Sequence, residues 1–200
     1  MDNPLLKMPR DDARKILPVI LKEYSPEYKE WYEIEKQNII CAVGEANIAR
    51  INHFGSSAIE GLVGKPVIDI SLEVDGSCDI PKLIENLEKI GWQYMHQEDP
   101  TKPMRIFLIK GYSPDGYGEK LFHMHIRYLG NWHDFYLKEY LIAHPDIAAE
   151  YGKLKQNILE NFENNISILE GGYGQAKDAF LEKHTNAAML EFKDKYKPKF

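Results

Sequence analysis

The run His53-Phe-Gly-Ser-Ser-Ala-Ile-Glu-Gly-Leu-Val-Gly-Lys65-Pro-Val-Ile-Asp69-Ile-Ser-Leu-Glu73-Val74 is where the architecture of this chain can be read. A Gly-Ser turn leads into a loop of mostly small residues, and then Val67, Ile68, Ile70, Leu72 and Val74 form an apolar, mostly β-branched series. Such a series over 67–74 predicts a buried strand. Asp69 sits inside it, and burying an unpaired carboxylate costs several kcal/mol or forces a pKa shift. The strand therefore predicts a partner for Asp69, and with it a polar site.

Upstream, residues 11–23 read as a helix. Ser25-Pro26-Glu27 starts a second, with Ser25 as N-cap and Pro26 in the first turn, carried to about Gly44 by Ile34, Ile39, Ile40 and Val43. Ala49, Ile51 and His53 alternate with Arg50 and Asn52, giving a strand that enters the Gly55-Ser56-Ser57 turn. Downstream, Asp79-Ile-Pro81 opens a helix that ends at Gly91. Residues 92–96 and 104–110 read as strands, 111–120 as a turn-rich loop with three glycines, and 121–129 as a long alternating strand. The rest is helical: 132–143, 146–162 after the His144-Pro145 break, and 175–196 after Gly171-Gly172. The order predicts an α+β class, a mixed β-sheet flanked by helices with a helical C-terminal part.

The 200 residues carry 44% hydrophobic and 28% charged side chains and a net charge of −6, ordinary for one soluble domain with a substantial core. The expectation is a single domain over 1–200, with an α/β core and N-terminal helices in 1–130 and the helical part in 131–200. The acidic balance excludes a general nucleic-acid binder, which needs a basic field, but leaves room for lysines around a phosphate. Cys41 and Cys78 make no metal or redox spacing and read as free thiols. No apolar run approaches the about 20 residues that span a bilayer, and the N-terminus lacks a secretory h-region, so a cytoplasmic location is expected.

Residues two apart on a strand share a face. Asp69, Ser71 and Glu73 line one side of their strand, and His123, His125 and Arg127 one side of the late strand. If the two strands are neighbours, Asp69 stands beside His123 and His125. That trio suits a transition metal or acid–base chemistry, and is equally read as two histidines on a solvated face with a carboxylate that caps a turn or pairs with Arg105. Lys65, Arg105, Lys110, Arg127, Lys155 and Lys177 are candidates to converge on an anion, with exposed helix lysines as the plainer reading of Lys155 and Lys177. Trp132, Tyr136, Tyr140 and Tyr151 have helical spacing and read as core rather than as a base-stacking stripe. Glu160, Glu163, Asp178 and Glu182 read as solvated helix faces.

The stretch from His53 to Ile70 resembles the signature of the GrpB family, a group within the nucleotidyltransferase-fold superfamily. Met104-Arg105-Ile-Phe, His123-x-His125, Leu137-Lys-Glu-Tyr-Leu-Ile-Ala-His-Pro, Tyr151-Gly-Lys-Leu-Lys155 and Tyr173-Gly-Gln-Ala-Lys177-Asp-Ala-Phe are similar too, so that the likeness covers roughly 18–190. Ser57 replaces the usual Thr, and Lys138-Glu139 the usual Arg-Asp. The resemblance implies a nucleotidyltransferase-like fold, a nucleotide or phosphorylated small molecule held near Gly55, Ser56, Ser57 and Lys65, and substrate roles for Arg105, Lys155 and Lys177.

Polymerising members of that superfamily place an Asp-x-Asp/Glu pair and a third carboxylate around two Mg²⁺ ions. In this chain Asp69 matches the first acid, Ser71 stands at the second, and His123 or His125 at the third. Glu73 is about 13 Å along the strand from Asp69. Mg²⁺ wants carboxylate oxygens, whereas one Asp with two His suits Zn²⁺, Mn²⁺ or Fe²⁺, or no metal. Three functions stay open: a nucleotidyltransferase-like enzyme with Asp69, His123 and His125 catalytic or metal-binding, a non-catalytic binding or accessory module, and a metal-dependent hydrolase. The family's likeness to a segment fused to dephospho-coenzyme A kinase points toward the accessory role by association only.

Overall fold

Among the described residues, Val67–Val74 is strand β2, the second of five in one mixed sheet. Around it lie β1 (Arg50–Phe54), β3 (Gln93–Gln97), β4 (Arg105–Ser113) and β5 (Gly116–Tyr128), in the order β1-β2-β5-β4-β3. β2 runs parallel to β5, and the other pairings are antiparallel. The structure, a computed structural model, describes residues 3–97 and 104–198. Seven helices accompany the sheet among these residues: α1 (Arg10–Ile16), α2 (Glu27–Val43), α3 (Ile80–Lys89), α4 (His133–Ala143), α5 (Pro145–Asn161), α6 (Gly172–Gln175) and α7 (Asp178–Glu191). No helix of the described residues is long and apolar enough to cross a membrane, and both cysteines are free.

The alternation expected for β2 and β5 sorts the sheet into two unlike faces. On one, Ile68, Ile70, Leu72 and Val74 meet Phe122, Met124 and Ile126, and α2 and α3 cover them with Ile39, Val43, Leu83 and Leu87. α3 begins where Asp79 accepts the Lys82 N–H at 3.1 Å, and Gly91 follows it at φ +91°. The other face is polar. The register aligns Phe54, Asp69, His123 and Ile109 across four strands, then Asn52, Ser71, His125 and Phe107, then Arg50, Glu73, Arg127 and Arg105. The loop after β1 and helices α4 and α5 pack over part of this face through Ile59, Leu62, Leu141, Ala148 and Tyr151.

Three expectations are corrected. The helix over 11–23 stops at Ile16, because Pro18 disfavours helical dihedrals at Leu17. The chain then runs extended, bridging to Ser167 and Gly64. The 111–120 loop is instead a hairpin whose strands reach Ser113 and restart at Gly116. Its Gly111 sits at a register shift with φ +89°, where a β-carbon would lie 2.0 Å from the Lys120 carbonyl oxygen, so the glycine marks a bulge rather than a loop. The last helix is split, α6 ending at Gln175 and α7 running only from Asp178 to Glu191.

Candidate functional site

Asp69 and His123 are register partners on the parallel pair β2–β5, so both side chains point from the polar face. Asp69 Oδ1 lies 3.5 Å from His123 Nδ1, and His123 Nε2 meets the Tyr112 hydroxyl at 2.9 Å. With the Nδ1 proton toward the carboxylate, Nε2 accepts the tyrosine O–H, and the ring is neutral and fixed. Burial lowers the His123 pKa against the pull of Asp69. Burial would raise Asp69, but contact with His123 and the charge of Lys65 more than offset it, holding the carboxyl below its usual range. His125, wedged between Phe54 and Phe107, is pushed down to about 4 by burial and is neutral at pH 7.

The Gly55-Ser56-Ser57 turn closes over the same carboxylate. Gly55 has φ +72°, and a β-carbon there would stand 2.2 Å from Asp69 Oδ2. Only glycine combines that backbone with that approach. Ser56 begins a single 3-10 turn, and Ser57 turns inward to His53 Nε2 at 3.0 Å, under the Tyr32 ring. Beside the turn opens a cleft of about 350 Å³, lined by Gly55, Ser56, Lys65, Asp69, His123, His125, Tyr173 and Lys177 among others.

The cleft is cationic. Lys65, from the loop before β2, and Lys177, before α7, flank the Tyr173 ring at 6.0 and 4.7 Å from its centroid. Burial and the charge of Lys65 push Lys177 down to about 8. Burial likewise lowers Lys65. Lys155, from α5, reaches the site from behind the turn: its Nζ donates to Ser56 Oγ at 2.9 Å and to the Val63 carbonyl, and burial with the charge of Lys177 pushes it down to about 7. Tyr173 is 3% exposed, and among the described residues its hydroxyl has no hydrogen-bond partner.

Other expected members are placed elsewhere. Arg105 lies over Trp132, 5.4 Å from that ring, instead of pairing with Asp69. Lys110 crosses to the opposite side of the sheet and grips Glu35 at 2.8 and 2.9 Å. Arg127 is buried, with Nε 3.2 Å from Ser71 Oγ and a guanidinium nitrogen 2.6 Å from Asp134. Its neighbour Glu73 is fully buried, held by the Arg50 fork and the Gly130 N–H. Tyr136 and Tyr151 are core residues, as read from their spacing.

This arrangement does not make a metal centre of Asp69, His123 and His125. Both nitrogens of His123 are engaged, Ser71 faces a guanidinium, and among the described residues no group of three or more His, Cys, Asp or Glu is placed to hold a metal ion. The trio expected as ligands is a line of neighbours on the sheet, and the local positive charge is supplied by lysines. Tyr112 and Tyr173 were not among the expected site residues. Tyr112 lay in the segment read as loop, where strand alternation was not applied. Tyr173 stood in a quoted motif, but nothing in its spacing disclosed an unpaired hydroxyl.

The GrpB protein family profile matches residues 18–187 of this chain. The glutamate-rich protein GrpB of Alkalihalophilus pseudofirmus is 30% identical over 177 residues, covering 84% of this chain and 94% of that protein. The crystal structure of conserved protein GrpB from Enterococcus faecalis superposes with a TM-score of 0.72 at 29% identity, over 86% of this chain and 99% of that one. A looser likeness, with a TM-score of 0.48 at 13% identity, is found with the Cid1 poly(U) polymerase, over 82% of this chain and 50% of that one.

Proposed function

This chain belongs to the GrpB family, and on that premise we propose that it binds a nucleotide or phosphorylated small molecule beside the Gly55-Ser56-Ser57 turn, as a nucleotidyltransferase-like protein. One observation carries the reading: Lys65 and Lys177 line one cleft and flank the ring of Tyr173, with no acidic group but Asp69 and Glu170 among the cleft's lining residues. Burying the Lys177 ammonium beside the charge of Lys65 lowers its pKa and costs folding free energy. A phosphate offsets that cost, because its oxygens accept from both ammoniums. Arg105 lies apart at Trp132, and Lys155 acts through Ser56.

Asp69, steadied by His123, is the acid–base group nearest that phosphate. Two-metal nucleotidyl transfer is not supported, since Arg127 occupies the space beside Ser71. The same contact favours a second reading, a binding module without turnover. A metal-dependent hydrolase finds no ligand set among the described residues to support it.

Calorimetry with inorganic pyrophosphate and the four nucleoside triphosphates, with and without Mg²⁺ and Mn²⁺, tests binding. At least one ligand is expected to bind, and Lys65→Met and Lys177→Met each to weaken it by about tenfold or more, the worth of a hydrogen bond to a charged group. Silence across the whole panel would sink the proposal. ³¹P spectra of the mixtures separate an enzyme, which consumes the ligand, from a module, which returns it unchanged.

A further inference from the structure

We infer that Ser56 and Lys155 are a nucleophile–base pair: Ser56 Oγ attacks a phosphoanhydride lying in the cleft and carries the transferred phosphoryl or nucleotidyl group covalently. The inference rests on the proposed ligand class and goes beyond it, since binding alone needs no reactive serine. Ser56 lines the cleft, and Lys155 stands behind it with Nζ 2.9 Å from Oγ. That is the distance at which a base can take a hydroxyl proton.

The surroundings fit the part. Lys155 is 2% exposed, and the Val63 carbonyl, its one backbone partner among the described residues, can only accept, so a neutral amine there donates to Val63 and keeps its lone pair for the serine. Lys177, Lys65, Asp69 and the Tyr151 ring face it. Burial and the two lysines bring the ammonium down to about 7, so that the amine is well populated at neutral pH. The serine is pinned from both sides. A β-carbon on Gly55 would strike Asp69, and one on Gly64 would stand 2.6 Å from the Ser56 Cβ and 3.4 Å from the Lys155 Nζ. A lysine that only buttressed the turn would serve as well charged and half exposed.

The step balances. An Oγ lone pair forms the O–P bond, the anhydride P–O bond breaks and the leaving phosphate takes its electron pair, and the hydroxyl proton passes to Lys155 Nζ. Lys65 and Lys177 line the cleft where the equatorial oxygens gather charge. In transfer onward, the oxygen of water or an alcohol forms the new O–P bond and gives up its proton to solvent, the Ser56 Oγ–P bond breaks, and Lys155 returns its proton to Oγ.

A fluorophosphonate ester probes this chemistry without knowledge of the ligand, because Oγ attack expels fluoride and leaves a stable adduct. Intact-mass and peptide analysis of the folded chain is expected to find one adduct, on Ser56. Its rate should rise about tenfold per pH unit below 7 and level off above, as a base near 7 demands. Lys155→Arg keeps a cation and a donor but cannot take the proton, and should slow labelling by about a hundredfold or more. No Ser56 adduct, a rate flat from pH 6 to 9, or an Arg variant labelling at the parent rate would overturn the pairing. The pH profile of the parent decides the matter should the variant not fold. Calorimetry with inorganic pyrophosphate on the unmodified chain is read separately: labelling without binding removes the proposed ligand class and leaves the reactive serine, and binding without labelling does the reverse.

Discussion

A β-carbon on Gly55 would meet Asp69 Oδ2 at 2.2 Å on a backbone already at φ +72°. Left-handed dihedrals cost an ordinary L-residue about 1–2 kcal/mol before any collision, and the Asp69 carboxylate cannot retreat without leaving His123. Gly55→Ala should therefore lower the free energy of unfolding by about 2 kcal/mol or more, read from urea denaturation, and abolish pyrophosphate binding. Parent stability in that variant would show that the turn tolerates a side chain. The position of Asp69 was legible in the sequence because a carboxylate in an apolar strand demands an explanation. Its immediate partner His123 was legible from alternation. Tyr112, which fixes the His123 ring from β4, was not, since glycines at 111, 116 and 118 made its strand look like a loop.

At the scale of elements, β5 joins the site to the helical half. Arg127 leaves β5 on the polar face, reaches Ser71 on β2 and ends on Asp134 in the first turn of α4, with Trp132 and Phe135 against its guanidinium. The sequence offered it as an anion-binding residue, and the parallel β2–β5 pairing instead buries it between two elements. Removing one partner of a buried ion pair typically costs 3–5 kcal/mol. Arg127→Met is expected to cost about that much in urea denaturation while leaving α2 and α3 packed. A loss below about 1 kcal/mol would mean that α4 docks without it. Glu73 tells the same story: Arg50 links it to the Gly130 and Tyr196 carbonyls, so the acid expected to lie too far from Asp69 is a clamp between sheet and C-terminus.

For the whole molecule, ionisation predicts an unusual pH response. His53 and His125 have folded pKa values near 4, below their ordinary 6.5, so the unfolded chain binds more protons between those values and stability falls as pH drops through that window. Lys155 and Lys177, brought down to about 7 and 8 by burial and by neighbouring lysines, act with the same sign higher up. The unliganded chain should thus gain stability from pH 7 to 9, seen as a rising urea midpoint, while pyrophosphate affinity falls over the same range. A midpoint that declines from 7 to 9 would mean that the lysines are not crowded. The single-domain expectation has its own test. Residues 1–130 alone would expose the polar sheet face and leave the buried Arg127 without Asp134, and should not melt cooperatively; a cooperative melt near the parent temperature would make the helical part a separate domain.

Local physics made much of this chain legible. Alternation in 67–74 and 121–129, the caps at Ser25, Asp79 and Gly91, and the run from His53 to Ile70 were enough to foresee an α+β fold with Asp69 and the strand histidines on one face. Those features depend on neighbours within a few residues, and dihedral preference and side-chain period act at that range. Which cations reach the cleft depended on contacts across 92 to 99 residues, as between Lys155 and its partners Val63 and Ser56. Only packing of distant segments onto the two faces of the sheet could choose Lys65 and Lys177 for the cavity and send Arg105, Lys110 and Arg127 elsewhere. Charge in a sequence has a sign but no direction, and direction is conferred when distant segments bury one another.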